Sequence, residues 1–241
     1  MSLVHYMEEG GVGIIALESP KITQKLVRDL NALCDRLEDD SACRLVVFRG
    51  AEPDFCLGLD LDGFYPTRPA DIDIFSRWEK LCTRIERLPK ITVAALQGEA
   101  RGAGAQLVLL CDLRFATRDA QLIFDELEAG MLPGMSTFRL AKSIGLSRAK
   151  RVFIQRLAIS AERALEWGVI DEICDDLASR VAQAVEEVAG IEPTHVQLTR
   201  RLLNESFEFS FEDAIGHFLA AQHLCKFANI PEDPSNDSDA G

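Results

Sequence analysis

A chain of 241 residues with 47% hydrophobic side chains can bury the core of one domain, or of one domain with an appended helical segment. Its 26 Lys and Arg stand against 39 Asp and Glu, a net charge of −13, which excludes the clustered cations that bind nucleic acid or an anionic membrane. A small anionic ligand is not excluded, because a few local basic residues decide such a contact.

Met1-Ser2-Leu3-Val4-His5 has no basic n-region or long apolar run, and no stretch approaches eighteen uninterrupted apolar residues. A cytoplasmic protein is therefore expected. Seven cysteines, at 34, 43, 56, 82, 111, 174 and 225, form no C-x-x-C pair and fall largely on apolar faces, as reduced core residues do. Val12 to Leu17 is a predicted strand, and Thr23 caps a predicted helix whose Leu26, Leu30, Leu33 and Leu37 recur at helical spacing. Leu45 to Phe48 is a buried strand ending at Gly50. Strand, helix and buried strand make a βαβ unit and an α/β fold.

A long loop, 52–69, contains Phe55-Cys56-Leu57-Gly58-Leu59-Asp60. Long ordered loops in compact domains are often functional. The face Phe75, Trp78, Leu81, Cys82, Ile85 and Leu88 predicts a helix over 72–88, stopped by Pro89. Ile91 to Leu96 is the next strand, Gly102 to Cys111 the next helix and Leu113 to Ala116 another strand. Past Pro133-Gly134 the chain is mainly helical, near 136–144, 147–156 and 161–167, the last closed by Gly168. A short strand over Val169 to Ile173 precedes helices near 194–206 and 211–228. These two carry Leu202, Phe207, Phe211, Phe218 and Leu224, apolar surface that either folds back or packs on a neighbouring subunit. The expected domains are a core over 1–190, a helical region over 191–230 and a disordered acidic tail over 231–241.

Two glycine-containing turns and one acid carry the chemistry. Gly102-Ala103-Gly104 opens a nearly all-apolar helix whose positive end attracts negative charge. Gly58 permits close backbone approach, and Leu59 can supply a second N–H. Paired N–H donors stabilise charge developing on a carbonyl oxygen; small residues at these positions also serve simply to let a helix pack on its sheet. Glu126 follows the strand-like run Gln121-Leu122-Ile123-Phe124 among carboxylates, with Asp125 and Glu128 beside it, and sequence spacing alone does not choose among the three. In an apolar pocket it would be a general acid/base, and in solvent an ordinary loop glutamate. Gln106, in the helix's first turn, can orient a water or a polar group but cannot carry a proton. His5, His195, His217 and His223 lack metal-ligand spacing, and neither a G-x-S-x-G elbow nor a phosphate-binding loop occurs, so no metal is expected.

At these residues the chain resembles the crotonase superfamily, the enoyl-CoA hydratase/isomerase family. Phe55-Cys56-Leu57-Gly58-Leu59-Asp60-Leu61 looks like its F-x-x-G-x-D-[IL] segment, and Gln97 to Gln106 like its N-G-x-x-x-G-G-G-x-[ED] turn. Cys111-Asp112-Leu113-Arg114-Phe115-Ala116, Leu132-Pro133-Gly134 and Ala164 to Ile170 match three further segments in the same order. The resemblance implies a ββα spiral with a C-terminal helical region that makes trimers or dimers of trimers. It implies an acyl-CoA thioester as substrate and no other cofactor, with the N–H groups of Leu59 and Ala103 on the thioester oxygen. Cys56, Leu57, Gly58, Asp60, Gly102 and Gly134 are implied to contact substrate or coenzyme A.

The family's hydratases use two glutamates, at the positions of Gln106 and Glu126. Only Glu126 is an acid here, which favours isomerase-like, single-glutamate proton transfer over simple hydration. Asp62 stands near where many members carry a basic residue, and Met135-Ser136-Thr137 shortens a glycine-rich turn; both changes weaken the expected grip on coenzyme A. Local runs such as Trp78-Glu79-Lys80 and Pro133-Gly134-Met135-Ser136 are similar to the accessory proteins of dihydroxyphenylacetyl-CoA biosynthesis. That likeness implies, as the alternative, an accessory dehydratase-like or non-catalytic subunit.

Overall fold

Four continuous apolar runs build the centre of the main sheet. The computed structural model describes residues 2–40, 42–61 and 72–227 and divides into two units, Met1–Ala189 and Gly190–Gly241. In the first unit the elements run β1 (Val4–Glu9), β2 (Val12–Leu17), α1 (Gln24–Asp39), β3 (Leu45–Arg49), α2 (Ile72–Arg87), β4 (Ile91–Leu96), β5 (Glu99–Arg101), α3 (Ala103–Leu110), β6 (Leu113–Ala116) and β7 (Gln121–Ile123). Then follow α4 (Ser136–Ile144), α5 (Leu146–Gln155), β8 (Ile159–Ser160), α6 (Ala161–Glu166), β9 (Glu172–Ile173) and α7 (Leu177–Val188).

A six-stranded sheet has the order β1-β2-β3-β4-β6-β9, antiparallel at β1-β2 and parallel elsewhere. A second sheet has the order β5-β7-β8. Successive turns of chain therefore lay one strand in each sheet: β4 then β5 before α3, and β6 then β7. This is the expected α/β spiral, and burial explains it. All six residues of β4 and the first four of β3 are buried, as parallel strands covered on both faces require. All eight residues of α3 are buried too, so this helix is interior to the unit. Asp112, following it, accepts from the Thr92 N–H and hydroxyl at 2.7 and 2.8 Å, which ties the start of β4 to the end of α3.

Several elements differ from expectation, among them the short strands β5 and β8, which had no sequence signal of their own. β1 was not foreseen, because Val4-His5-Tyr6-Met7-Glu8-Glu9 has no clean alternation and becomes a strand only through its ladder with β2. α7 was missed because only Ala184 of its residues is fully buried, so its inward face carries a weak apolar signal. The strand expected over 169–173 shrinks to β9, because the Val169 and Ile170 N–H groups bond back to Ala164 O and close α6.

The second unit contains α8 (Pro193–Glu205) and α9 (Phe211–Phe227). Leu203, Phe207, Phe211, Phe218, Leu219 and Leu224 are half or more exposed there. Among the described residues no helix is long and apolar enough to cross a membrane. Asp62 and the acidic tail over 231–241 lie outside the described residues.

Thr23 has extended backbone, and its Oγ1 accepts the Leu26 N–H at 3.1 Å, the N-cap of α1. Thr23→Ala is expected to destabilise the fold by about 1 kcal/mol, read as a lowered urea midpoint with an unchanged slope.

Candidate active site

The three residues of β5 sit between two other segments. On one edge Phe55 and Cys56 N–H both reach Glu99 O at 3.1 Å, and Arg101 N–H reaches Cys56 O at 2.8 Å. On the other edge β5 pairs with β7, and Gly102 N–H continues the ladder to Ile123 O at 2.8 Å. The 55–60 segment is held on its far side as well: Leu57 N–H donates to Pro20 O, Ile22 N–H to Gly58 O and Asp60 N–H to Ile22 O, at 2.6, 2.8 and 2.9 Å.

Both turns need glycine where they meet. Gly58 has φ +86°, and a Cβ there would lie 3.0 Å from Arg101 O and 3.9 Å from Ala103 N. Gly102 has φ 52° and ψ −117°, a conformation essentially reserved for glycine. The Gly58 turn is thereby set against the start of α3, and Leu59 and Ala103 line the same cavity. Ala103 is the first residue of α3, so its N–H has no acceptor within the helix. Neither it nor Leu59 N–H has an acceptor among the described residues.

Glu126 stands against the same turn. It follows β7 in a turn closed by Ala129 and Met131 N–H groups on its carbonyl, at 3.1 and 2.9 Å. Its Oε1 is 3.1 Å from where a Gly102 Cβ would be, so a side chain at 102 would press on the carboxylate. Its Oε2 is fully buried and has no hydrogen-bond partner among the described residues. Burial pushes this carboxyl above the ordinary glutamate value of 4.5; the Asp125 charge adds to the rise and a backbone N–H opposes it. Arg101 steadies the arrangement by reaching both Glu99, at 2.8 Å, and Asp125, linking the turn before α3 to the turn that carries Glu126.

A cavity of about 630 Å³ opens over these groups. Leu57, Gly58, Leu59, Gly102 and Ala103 form one side of it, and Gln106, Glu126 and Gly134 also line it. Its wall holds Lys21 and Arg101 against Glu79, Asp125, Glu126 and Glu128. Two expected ligand contacts are not part of the lining. Cys56 is fully buried beneath the wall, against Gly104, where a Cβ would run into the Cys56 carbonyl. Burial pushes its thiol up to about 12, so it is no thiolate nucleophile. Asp60 is likewise outside the lining, its N–H donating to Ile22 O.

Gln106 also differs from expectation. It is 2% exposed, and its amide is used at both ends rather than offered to a ligand. Oε1 accepts from Trp78 Nε1 at 3.3 Å and from the Ser136 hydroxyl at 3.5 Å, while Nε2 donates to both oxygens of Glu79 at 3.0 and 2.9 Å. Glu79, on α2, was not among the expected site residues. The available signal was its place between Trp78 and Cys82, at the border of the buried face of α2.

Residues 7–223 match the family model for enoyl-CoA hydratase/isomerase. The chain belongs to this family. An enoyl-CoA hydratase of Amycolatopsis orientalis is 33% identical over 195 residues, covering 81% of this chain and 86% of the relative. The solved enoyl-CoA hydratase of Bacillus anthracis superposes with a TM-score of 0.87 at 24% identity, over 92% of this chain and 90% of that one. A putative enoyl-CoA hydratase of Thermobifida fusca, solved with acetoacetyl-CoA, gives 0.85 at 24% identity over 95% and 96%. The fold is thus that of the crotonase superfamily, a mixed α/β spiral with a helical C-terminal region.

The raised carboxyl of Glu126 has a stability consequence. The folded state holds this proton more tightly than the unfolded chain, so the group weakens folding as pH rises above about 4.5 and has no effect below that value, where both states are protonated. Glu126→Gln is expected to raise the urea midpoint at pH 7 and to leave it unchanged at pH 4.

Proposed function

We propose that the cavity binds an acyl thioester of coenzyme A and stabilises its enolate. The thioester oxygen is held by the N–H groups of Leu59 and Ala103, and Glu126 removes a proton from carbon or returns it. The observation that carries this reading is that Leu59 and Ala103, whose N–H groups have no acceptor among the described residues, line one cavity with Glu126, whose buried Oε2 has no donor there. Fixed donors placed where negative charge develops are among the largest contributors to catalysis. Burial of Glu126 strengthens it as a base for a weakly acidic carbon. The family membership and the acetoacetyl-CoA bound by the Thermobifida fusca protein support the substrate class. A single proton carrier is sufficient to shift a double bond, because the proton taken from one carbon is returned to another.

The exposed apolar face of the second unit supports self-association, and the family resemblance suggests a homotrimer or a dimer of trimers. On this reading Phe211→Glu is expected to lower the sedimentation coefficient to that of a monomer, and an unchanged coefficient would remove α9 from the interface.

The catalytic reading is tested with a β,γ-enoyl-CoA and crotonyl-CoA, following the absorbance of the conjugated thioester. Glu126→Gln is expected to lower kcat by about 1,000-fold, with the circular dichroism spectrum and coenzyme A binding retained. Turnover equal to that of the parent protein would take Glu126 out of the mechanism. Coenzyme A binding without turnover in the parent protein would favour the non-catalytic subunit.

A further inference from the structure

The amide of Gln106 is oriented by its neighbours. The Trp78 indole N–H is only a donor, so the atom facing it at 3.3 Å is the carbonyl oxygen of Gln106, and the NH₂ group faces Glu79. Met135 N–H reaches Glu79 Oε1 at 3.1 Å and Arg139 Nη1 reaches Oε2 at 3.5 Å. Arg139 is itself anchored by a two-pronged contact with Glu86 at 2.8 and 2.7 Å. Donors from α2's neighbours on three sides thus fix one carboxylate, yet it is not shut in. Its side chain is 26% exposed and lines the same cavity as Glu126. Gly134 preserves the opening, because a Cβ there would stand 2.8 Å from Glu79 Oε1.

We propose that Glu79 is the second catalytic carboxylate of this cleft, replacing the acid missing at position 106, and that the site therefore adds water to, or removes it from, an enoyl thioester. The inference rests on the enolate reading above and extends it. In hydration, Glu79 accepts a proton from a water molecule as the water oxygen bonds to the β-carbon. The Cα=Cβ electron pair moves toward the thioester, whose oxygen takes negative charge between Leu59 and Ala103 N–H. Protonated Glu126 then gives its proton to the α-carbon. One proton has been accepted at Glu79 and one delivered from Glu126, and exchange with solvent restores both groups. Dehydration is the reverse. Gln106 is a positioning residue that holds Glu79 by both oxygens.

The test separates two reactions. Exchange of α-protons of a saturated acyl-CoA in deuterium oxide needs Glu126 and the two amides; hydration of crotonyl-CoA needs Glu79 as well. Glu79→Gln is expected to lower kcat for hydration by about 100-fold or more while α-exchange stays within about 3-fold. The double change Glu79→Gln with Gln106→Glu, which moves the carboxylate back, is expected to recover at least about 10-fold of the lost hydration. Gln106→Glu alone places two carboxylates about 3 Å apart, so one holds a proton and the activity–pH profile moves to higher pH. Hydration unaffected by Glu79→Gln overturns the inference. So does loss of hydration and exchange together, which marks a merely structural role, and so does failure of the double variant to recover activity. A parent protein that exchanges α-protons without hydrating overturns this inference and leaves the enolate reading standing; one that does neither overturns both.

Discussion

The geometry of the cleft depends on β5 having a partner on each edge. Three residues make a weak strand alone, but here one edge accepts the 55–56 segment and the other pairs with β7. The two chain segments that supply N–H groups and the segment that supplies Glu126 are thereby indexed to one another by backbone hydrogen bonds alone. The buried helix α3 fixes the third dimension. Its start cannot slide without repacking eight buried residues, and close-packed interiors resist such movement. Ala103 N–H is therefore held by the core and Leu59 N–H by pairing on both sides of its segment, so neither must reorganise when charge appears.

The sequence made some of this arrangement legible and concealed the rest for identifiable reasons. The interior strands β2, β3, β4 and β6 were readable because a parallel strand covered on both faces is a run of apolar residues. β1 was not, since an edge strand with mixed side chains is defined by its partner. The turns at Gly58 and Gly102 stood out because positive φ demands glycine; Glu126 did not stand out by spacing from Asp125 and Glu128, and only the family resemblance singled it out. Glu79 stayed hidden. Helical periodicity tells which face a residue occupies but not what stands opposite, and the amide opposite it lies 27 residues along the chain.

The glutamine at 106 and the glutamate at 79 are best understood as one change. With acids at both positions, two carboxylates would approach within about 3 Å, and like charges so close cannot both ionise. An amide removes the conflict and supplies an NH₂ group that bridges both oxygens of its neighbour. On the proposed reading the acid absent at 106 is supplied by its hydrogen-bond partner Glu79, from another helix on the same cavity.

The unsatisfied groups in the cleft make sense as two ends of a charge transfer. A buried carboxylate oxygen without a donor weakens the fold by about 1–3 kcal/mol, while the Leu59 and Ala103 N–H groups, on residues that line the cavity, have no acceptor among the described residues. They stand on opposite sides of one glycine turn. On the proposed reading, when Glu126 takes a proton from carbon it becomes neutral, and the negative charge it gives up reappears on the thioester oxygen. The cleft's net charge does not change in that step; a charge that was poorly solvated at the carboxylate ends between two waiting donors. The burial that raises the proton affinity of Glu126 and the missing acceptors at Leu59 and Ala103 therefore favour the same direction of transfer. On the proposed reading the unpaired carboxylate oxygen and the two open N–H groups are the two ends of one preorganised site, sustained by the large buried core around α3.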